Sequence, residues 1–211
     1  MSLEESSAEF RRRFDEKMSA REKALPAARR AVRSSANAIR AIHRREWDEA
    51  DRLMGEARAA LDEGVAAVRE HPDIRYAGFL HDAEKEYAEA RLTEAVVRER
   101  ELPGPDELRV DLPAYLVGMS EAIGEARRWI LDLLRRGEHG RGEAVLSVMD
   151  DMYYLLVSMD YPDAITANLR RSTDVARGIL ERTRGDLTVS LVQKDLKDTL
   201  ECHTPEVPSA G

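Results

Sequence analysis

The feature that most constrains the fold of this chain is the spacing of its apolar residues, which recur every three or four positions over long stretches. In residues 4–43 the series is Phe10, Phe14, Met18, Leu25, Ala28, Val32, Ala36, Ile39 and Ile42. This period places apolar side chains on one face of an α-helix, whereas the β-branched runs that a sheet would need are nearly absent. The pattern therefore predicts an all-α protein, in which Pro26 either kinks the first helix or begins a new one.

The same spacing, together with proline and glycine breaks, predicts the remaining helices. They are expected over residues 47–69, 73–101, 112–136, 142–159, 164–183 and 187–201, with Gly137 capping the fourth helix and Gly185 closing the sixth. About seven helices joined by short loops indicate an antiparallel bundle. Several exceed the mean helix length of about 11 residues, so we expect their remaining apolar faces to pack against neighbouring subunits in an oligomer.

Length and composition limit the class of protein. The 211 residues suit a single helical domain over 1–202, followed by a short tail (203–211) whose prolines and small residues predict disorder. Cys202 is the only cysteine, so neither an intrachain disulfide nor a CxxC motif can form. The sequence has no signal peptide and no apolar run of about 18 residues, and we therefore expect a soluble, cytoplasmic protein.

Charge is distributed unevenly along the chain, whose net value is −8. Residues 20–45 contain eight arginines and lysines but only one acid, Glu22. This asymmetry suggests a surface that binds a polyanion such as nucleic acid. Composition alone favours a simpler explanation of this asymmetry: a solvated helix face, or a basic face that pairs with acidic helices of the same protein.

Two close pairs of glutamates are the strongest candidates for chemistry. Glu86 and Glu89 are three residues apart in one predicted helix, and Glu121 and Glu125 are four apart in the next. Each spacing places both carboxylates on one helix face. If the faces converged, four carboxylates could hold a hard divalent ion, which could activate water against a phosphodiester. Acid pairs are nevertheless common in this chain, and spacing alone favours ordinary surface residues.

Small residues beside the second pair could allow the two helices to meet closely. Gly118 and Gly124 would permit the backbone of a neighbouring helix to approach. Other catalytic patterns are missing from the sequence, because the five histidines are scattered without HExxH spacing and no phosphate-binding glycine loop or GxSxG motif occurs.

Four runs of the sequence resemble the translin family, and in particular its TRAX (translin-associated factor X) branch and archaeal TRAX-like proteins. They are Arg21-Glu22-Lys23 leading into Ile39-Arg40-Ala41-Ile42-His43; Glu86-Tyr87-Ala88-Glu89-Ala90; Tyr115-Leu116-Val117-Gly118 followed by Glu121 and Gly124-Glu125; and Leu169-Arg170-Arg171 continuing to Arg184-Gly185. The third, a YLxG…GE run, is the most specific. The runs follow the family's order and span most of the chain.

The resemblance implies a fold of about seven helices and a closed homo-octameric shell that encloses nucleic acid. It implies a TRAX-type endoribonuclease site in which Glu86, Glu89, Glu121 and Glu125 are catalytic and bind Mg²⁺, with Mn²⁺ as the alternative ion. Eukaryotic TRAX carries Asp where this chain has Glu121, which leaves the position of the ion open. The expected partner is single-stranded or small structured RNA, with single-stranded DNA as a second ligand.

The family also suggests where nucleic acid would bind. Arg21 and His81 align with contact positions of the family, and Arg29 and Arg33 join them from the basic stretch. Two other interpretations stay open: a translin-type protein that binds nucleic acid without cleaving it, and a helical scaffold whose charges only keep long helices in solution.

Overall fold

The computed structural model describes residues 3–203 of the chain, and side chains as far as Glu201. This part contains no strand, and its nine helices are α1 (Leu3–Arg44), α2 (Trp47–Ala67), α3 (Pro72–Arg75), α4 (Phe79–Val97), α5 (Pro105–Leu108), α6 (Leu112–Arg135), α7 (His139–Ser158), α8 (Asp163–Thr166) and α9 (Leu169–His203). The predicted all-α fold is confirmed. The predicted tail lies outside the described residues, except that His203 is the last residue of α9. No helix in the described part is long and apolar enough to cross a membrane.

Helix α1 runs without interruption through Pro26, so this residue does not begin a new helix. Its buried face is built mainly of alanines, and we call this row the alanine seam: Ala20, Ala24, Ala27, Ala28, Ala31, Ala38 and Ala41. The seam lies against α2 and α4. Because alanine has only a methyl group, these neighbouring helices can approach α1 closely, and their own larger side chains, such as Leu61 and Leu80, complete the core.

Helix α6 lies at the centre of the bundle, where it packs against α4, α7 and α9. It buries Trp129 and a stripe of leucines, isoleucines and methionines. Gly137 ends it as predicted, with a positive φ of 76°. The amides of Gly137 and Glu138 donate to the carbonyls of Leu134 and Leu133, which is the glycine-capped helix end that the sequence indicates.

Three predicted helix boundaries were wrong, two of them at glycines. The predicted third helix is divided, because Gly78 adopts a φ of +100° between α3 and α4. Gly185, by contrast, does not end a helix but lies inside the 35-residue α9. A glycine within a helix costs about 1 kcal/mol relative to alanine, which flanking helical residues can absorb. The predicted sixth helix instead breaks at Ala167 and Asn168, which both have positive φ.

Candidate metal centre and nucleic-acid interface

Helices α4 and α6 bring three of the four predicted glutamates together. Oxygens of Glu86, Glu89 and Glu121 all lie within 4.8 Å of one another, and the three side chains are partly buried. Gly118 makes this approach possible, because a Cβ added there would lie 2.6 Å from the Lys85 carbonyl oxygen. The role predicted for Gly118 therefore fits the packing. The same prediction for Gly124 was wrong, since a Cβ added there would meet no backbone of another helix and would lie 3.8 Å from a side-chain atom of Ile179.

Glu89 is the member of this group, the acidic cluster, that most needs a cation. Within the described residues its carboxylate has no hydrogen bond and no ion pair. Burial, and then the charges of Glu121, Glu86 and Glu125, raise its pKa from 4.5 to about 8. A divalent ion is the ligand that three converging carboxylates would satisfy, because Mg²⁺ and Mn²⁺ prefer oxygen donors. The residues present thus fit the ion that the sequence predicts.

Lys85 supplies the positive charge nearest to the acidic cluster. Its Nζ lies 2.8 and 2.9 Å from the two carboxylate oxygens of Glu121, and 3.2 Å from Glu86 Oε1. These two carboxylates raise the pKa of Lys85 against the opposing effect of its burial. Sequence reasoning missed this residue. Its position immediately before Glu86 was visible, but its contact with another helix was not.

Glu125, the fourth predicted ligand, is held apart by a different partner. His43 Nε2 donates to Glu125 Oε2 across 2.5 Å. This hydrogen bond is the main reason that the pKa of Glu125 lies below its ordinary value, with the charges of His43 and Arg128 adding to it. Glu125 is close enough to the cluster for its charge to raise the pKa of Glu89, but its oxygens are not part of the three-carboxylate group.

His43 is a second residue that sequence reasoning did not assign to the centre. It lies in the last turn of α1, within the basic stretch, yet its side chain is only 3% exposed. Its ring lies 6.5 Å from that of Trp129, and its Nδ1 is buried without a hydrogen-bond partner. Helix α1 therefore reaches Glu125 through this buried side chain.

The basic stretch contains both paired and unpaired arginines. Arg30 pairs with Glu63 and Arg44 with Glu46, so part of the stretch neutralises acids of the same chain. Three predicted contact residues differ from these. Arg21, Arg29 and Arg33 are exposed, and in the described part of the chain they form no ion pair or side-chain hydrogen bond. Arg29 and Arg33, four residues apart, lie on one face of α1.

The remaining predicted contact, His81, lies one helical turn before Lys85 on α4. It is partly buried, and burial lowers the pKa of its imidazole, against the opposing charges of Asp82 and Asp111. The helix period places His81 on the same side of α4 as Lys85, whose charge acts on its imidazole.

The described residues thus include a carboxylate cluster on α4 and α6 and unpaired cations on α1. The carboxylates can hold a divalent ion, and exposed guanidinium groups can contact phosphates in any sequence. The carboxylate that His43 holds is ionised and oriented, and so could accept a proton. Nothing in the arrangement recognises a particular base.

The fold of this chain has known relatives. No family model matches the chain. An uncharacterised protein of Methanocaldococcus jannaschii is 29% identical over 187 residues, which span 88% of this chain and 82% of that protein. Two structures of C3PO from Archaeoglobus, one of them a complex with duplex RNA, are each 32% identical to this chain.

The structural matches extend over nearly the whole of each relative. Both Archaeoglobus structures have a TM-score of 0.81 and match 89% of this chain, and the match covers 97% of the chain in the RNA complex and 98% in the other structure. C3PO of Nematostella, without ligand, is 19% identical with a TM-score of 0.75 over 90% of this chain and 97% of its own. The Nematostella likeness shows the fold alone.

Proposed function

Because the chain belongs to the translin/TRAX family, we propose that it is a divalent-metal-dependent endoribonuclease with the acidic cluster as its centre. One observation carries the proposal. Glu86, Glu89 and Glu121 converge within 4.8 Å, and in the described part of the chain Glu89 forms no ion pair, although the nearby charge of Lys85 opposes the rise of its pKa. A folded protein has little reason to bring three carboxylates together unless a cation joins them.

RNA is the proposed substrate, and single-stranded DNA is a second candidate ligand. A relative with 32% identity has been crystallised with duplex RNA. In this chain, the unpaired guanidinium groups of Arg21, Arg29 and Arg33 offer the sequence-independent contacts that a phosphate backbone accepts. His81, one helical turn before Lys85 on α4, would add a further contact to the strand.

Each group in the centre has a distinct role in this mechanism. Glu86, Glu89 and Glu121 would hold the ion, and Mg²⁺ or Mn²⁺, when bound, would polarise water and offset the charge that develops on the phosphate. Glu125 is the proton acceptor, because its hydrogen bond to His43 keeps it ionised and fixes its direction. His43 is a positioning residue, buried between Glu125 and Trp129.

Cleavage is tested with a labelled RNA, in Mg²⁺ and in chelator. The wild type should cut only with Mg²⁺, whereas a Glu89→Gln Glu125→Gln double variant should bind the RNA and leave it intact. The matched control is Glu143→Gln Glu181→Gln, which removes the same charge from exposed positions on α7 and α9. If wild type and the Glu89 variant cut equally, the nuclease proposal fails. If neither cuts but both bind, the translin-type binding role replaces it.

The RNA-contacting surface is tested separately through salt. Loss of two phosphate contacts in Arg21→Ala Arg33→Ala should weaken binding and flatten the plot of log K against log salt by about 1.4, at about 0.7 per contact for a single strand. The control is Arg52→Ala Arg177→Ala, since both of these exposed arginines pair with glutamates on their own helices. An unchanged slope in the Arg21 variant would exclude this face.

We also propose that the protein assembles into a closed homo-oligomeric shell, with the octamer as the expected size. The support is an apolar face on the first part of α1. Phe10, Phe14 and Met18, spaced four apart, lie on one side of the helix and are each more than half exposed. A contiguous apolar face of this kind usually marks a protein interface.

A further inference from the structure

Lys85 has a position that the proposed nuclease mechanism does not use. Its ammonium is bound by both oxygens of Glu121 and by one oxygen of Glu86, at 2.8 to 3.2 Å. It thus lies between two of the three carboxylates that would hold the ion. The side chain is 19% exposed, so one part of it faces solvent.

We propose that Lys85 is an intramolecular counter-cation, which binds the acidic cluster when no divalent ion is present and must leave when one binds. The inference rests on the proposed metal centre and adds a rule for its occupancy. Lys85 then acts as a competitor built into the chain, and it sets the concentration of ion that the centre needs.

The competition follows from distances and charge. A Mg²⁺ ion lies about 2.1 Å from its carboxylate ligands, so an ion shared by Glu86 and Glu121 would take the oxygens that now accept from Lys85. An ammonium kept within hydrogen-bonding distance of the same oxygens would lie within about 5 Å of the ion, and like charges so close repel strongly at low dielectric. Two cations on the same oxygens would therefore repel each other, and we expect binding of the ion to displace Lys85.

The lysine side chain is suited to leaving. Its charge is carried on a flexible four-carbon stem with a single, strongly hydrated ammonium group. Displacement into solvent would return both hydration and rotamer freedom. Glu89 also favours displacement of Lys85 by the ion, because no hydrogen bond or ion pair joins Lys85 to this third carboxylate in the described part of the chain. One ammonium satisfies two carboxylates, and the ion would satisfy all three.

Displacement is tested first on the unaltered protein, by the reactivity of its amines. The full-length chain is treated briefly with an amine-acylating reagent, in chelator or in saturating Mg²⁺, and the modified lysines are quantified by peptide mass spectrometry. Lys85 should react several times faster with Mg²⁺. Lys23, an exposed lysine on α1, is the internal control and should not change. Equal or slower labelling of Lys85 in Mg²⁺ would overturn the inference.

Competition is tested second, by calorimetric titration with Mg²⁺ alone. Lys85→Gln should bind the ion about tenfold more tightly than wild type, whereas Lys85→Arg, which keeps the charge, should not. Arg128→Gln is the matched control, because Arg128 lies 3.7 Å from Glu125 but outside the acidic cluster. Its effect reports general electrostatics and should be under about threefold.

The outcomes separate this inference from the proposed function. If wild type binds Mg²⁺ and Lys85→Gln binds it no more tightly than Arg128→Gln does, the competitor role is wrong and the metal centre stands. If no variant binds Mg²⁺, both are overturned. Tighter binding in Lys85→Gln together with faster labelling of Lys85 in wild type supports both.

Discussion

Glu89 allows a sharp test of the electrostatics of the acidic cluster, through the pH dependence of stability. Its pKa is raised from 4.5 to about 8, first by burial and then by the charges of Glu121, Glu86 and Glu125. Between pH 4.5 and 8 the folded protein therefore keeps a proton that the unfolded chain has released. The free energy of unfolding must fall as pH rises through this window, and level off above it.

The size of this effect can be bounded. At 1.36 kcal/mol for each pH unit, the interval from 4.5 to about 8 gives a ceiling of about 5 kcal/mol. The carboxylates titrate as a coupled set and Lys85 lies among them, so we expect less than half of the ceiling, about 2 kcal/mol. Glu89→Gln removes the charge and keeps the shape. Without metal, it should stabilise the protein by about 2 kcal/mol more at pH 8.5 than at pH 5.

The measurement is urea unfolding in chelator at both pH values, for wild type, Glu89→Gln and the exposed-site control Glu143→Gln. The control should show the same difference from wild type at both pH values. If Glu89→Gln is equally stable relative to wild type at pH 5 and pH 8.5, the carboxylate is not held in a repulsive, buried setting. The case for an ion at the cluster would then lose its electrostatic basis.

Two further predictions concern packing and assembly. Gly118→Ala should destabilise the protein by about 1–3 kcal/mol in thermal or urea unfolding and weaken Mg²⁺ binding, because the new Cβ would force α6 away from the Lys85 carbonyl. The control Gly124→Ala, whose new Cβ would meet nothing closer than 3.8 Å, should be neutral or stabilising by up to about 1 kcal/mol. Equal losses of stability in both variants would contradict the close approach of α4 and α6 at Gly118. Phe10→Glu Phe14→Glu should dissociate the oligomer with little loss of helicity, as measured by light scattering and circular dichroism, whereas an unchanged mass would exclude that face from the interface.

The helices could be predicted because their signal is local. A period of 3.6 residues is repeated many times in a long helix, so apolar spacing with proline and glycine breaks located the long helices approximately, although α9 was predicted as two helices. Single glycines carry no such redundancy. Gly78 interrupts the helix because its backbone adopts a positive φ, whereas Gly185 stays helical. Whether a glycine interrupts a helix or stays within it depends on the packing around it, and the neighbouring residues in the sequence do not indicate that packing.

The site shows the same division between local and distant information. Glu86 and Glu89 share a helix face by their spacing, and the structure places both beside Glu121. The hydrogen bond from His43 to Glu125 joins residues 82 positions apart, and apolar periodicity does not predict such a contact. It was this contact that separated Glu125 from the other three glutamates, and the family resemblance alone would have treated all four alike.

The alanine seam of α1 has a consequence for how this protein can change over evolutionary time. A methyl group that is fully enclosed by two other helices can be exchanged for little besides glycine or serine, since any larger side chain would have to displace a backbone. We expect a mutational scan of α1 to show this asymmetry in stability. Nearly all substitutions in the alanine seam should destabilise the fold, whereas most substitutions of the exposed residues Arg21, Arg29 and Arg33 should not. The proposed phosphate contacts can therefore change on one side of the helix while the alanine seam on the other side stays nearly constant, so binding strength could change without any change of the fold.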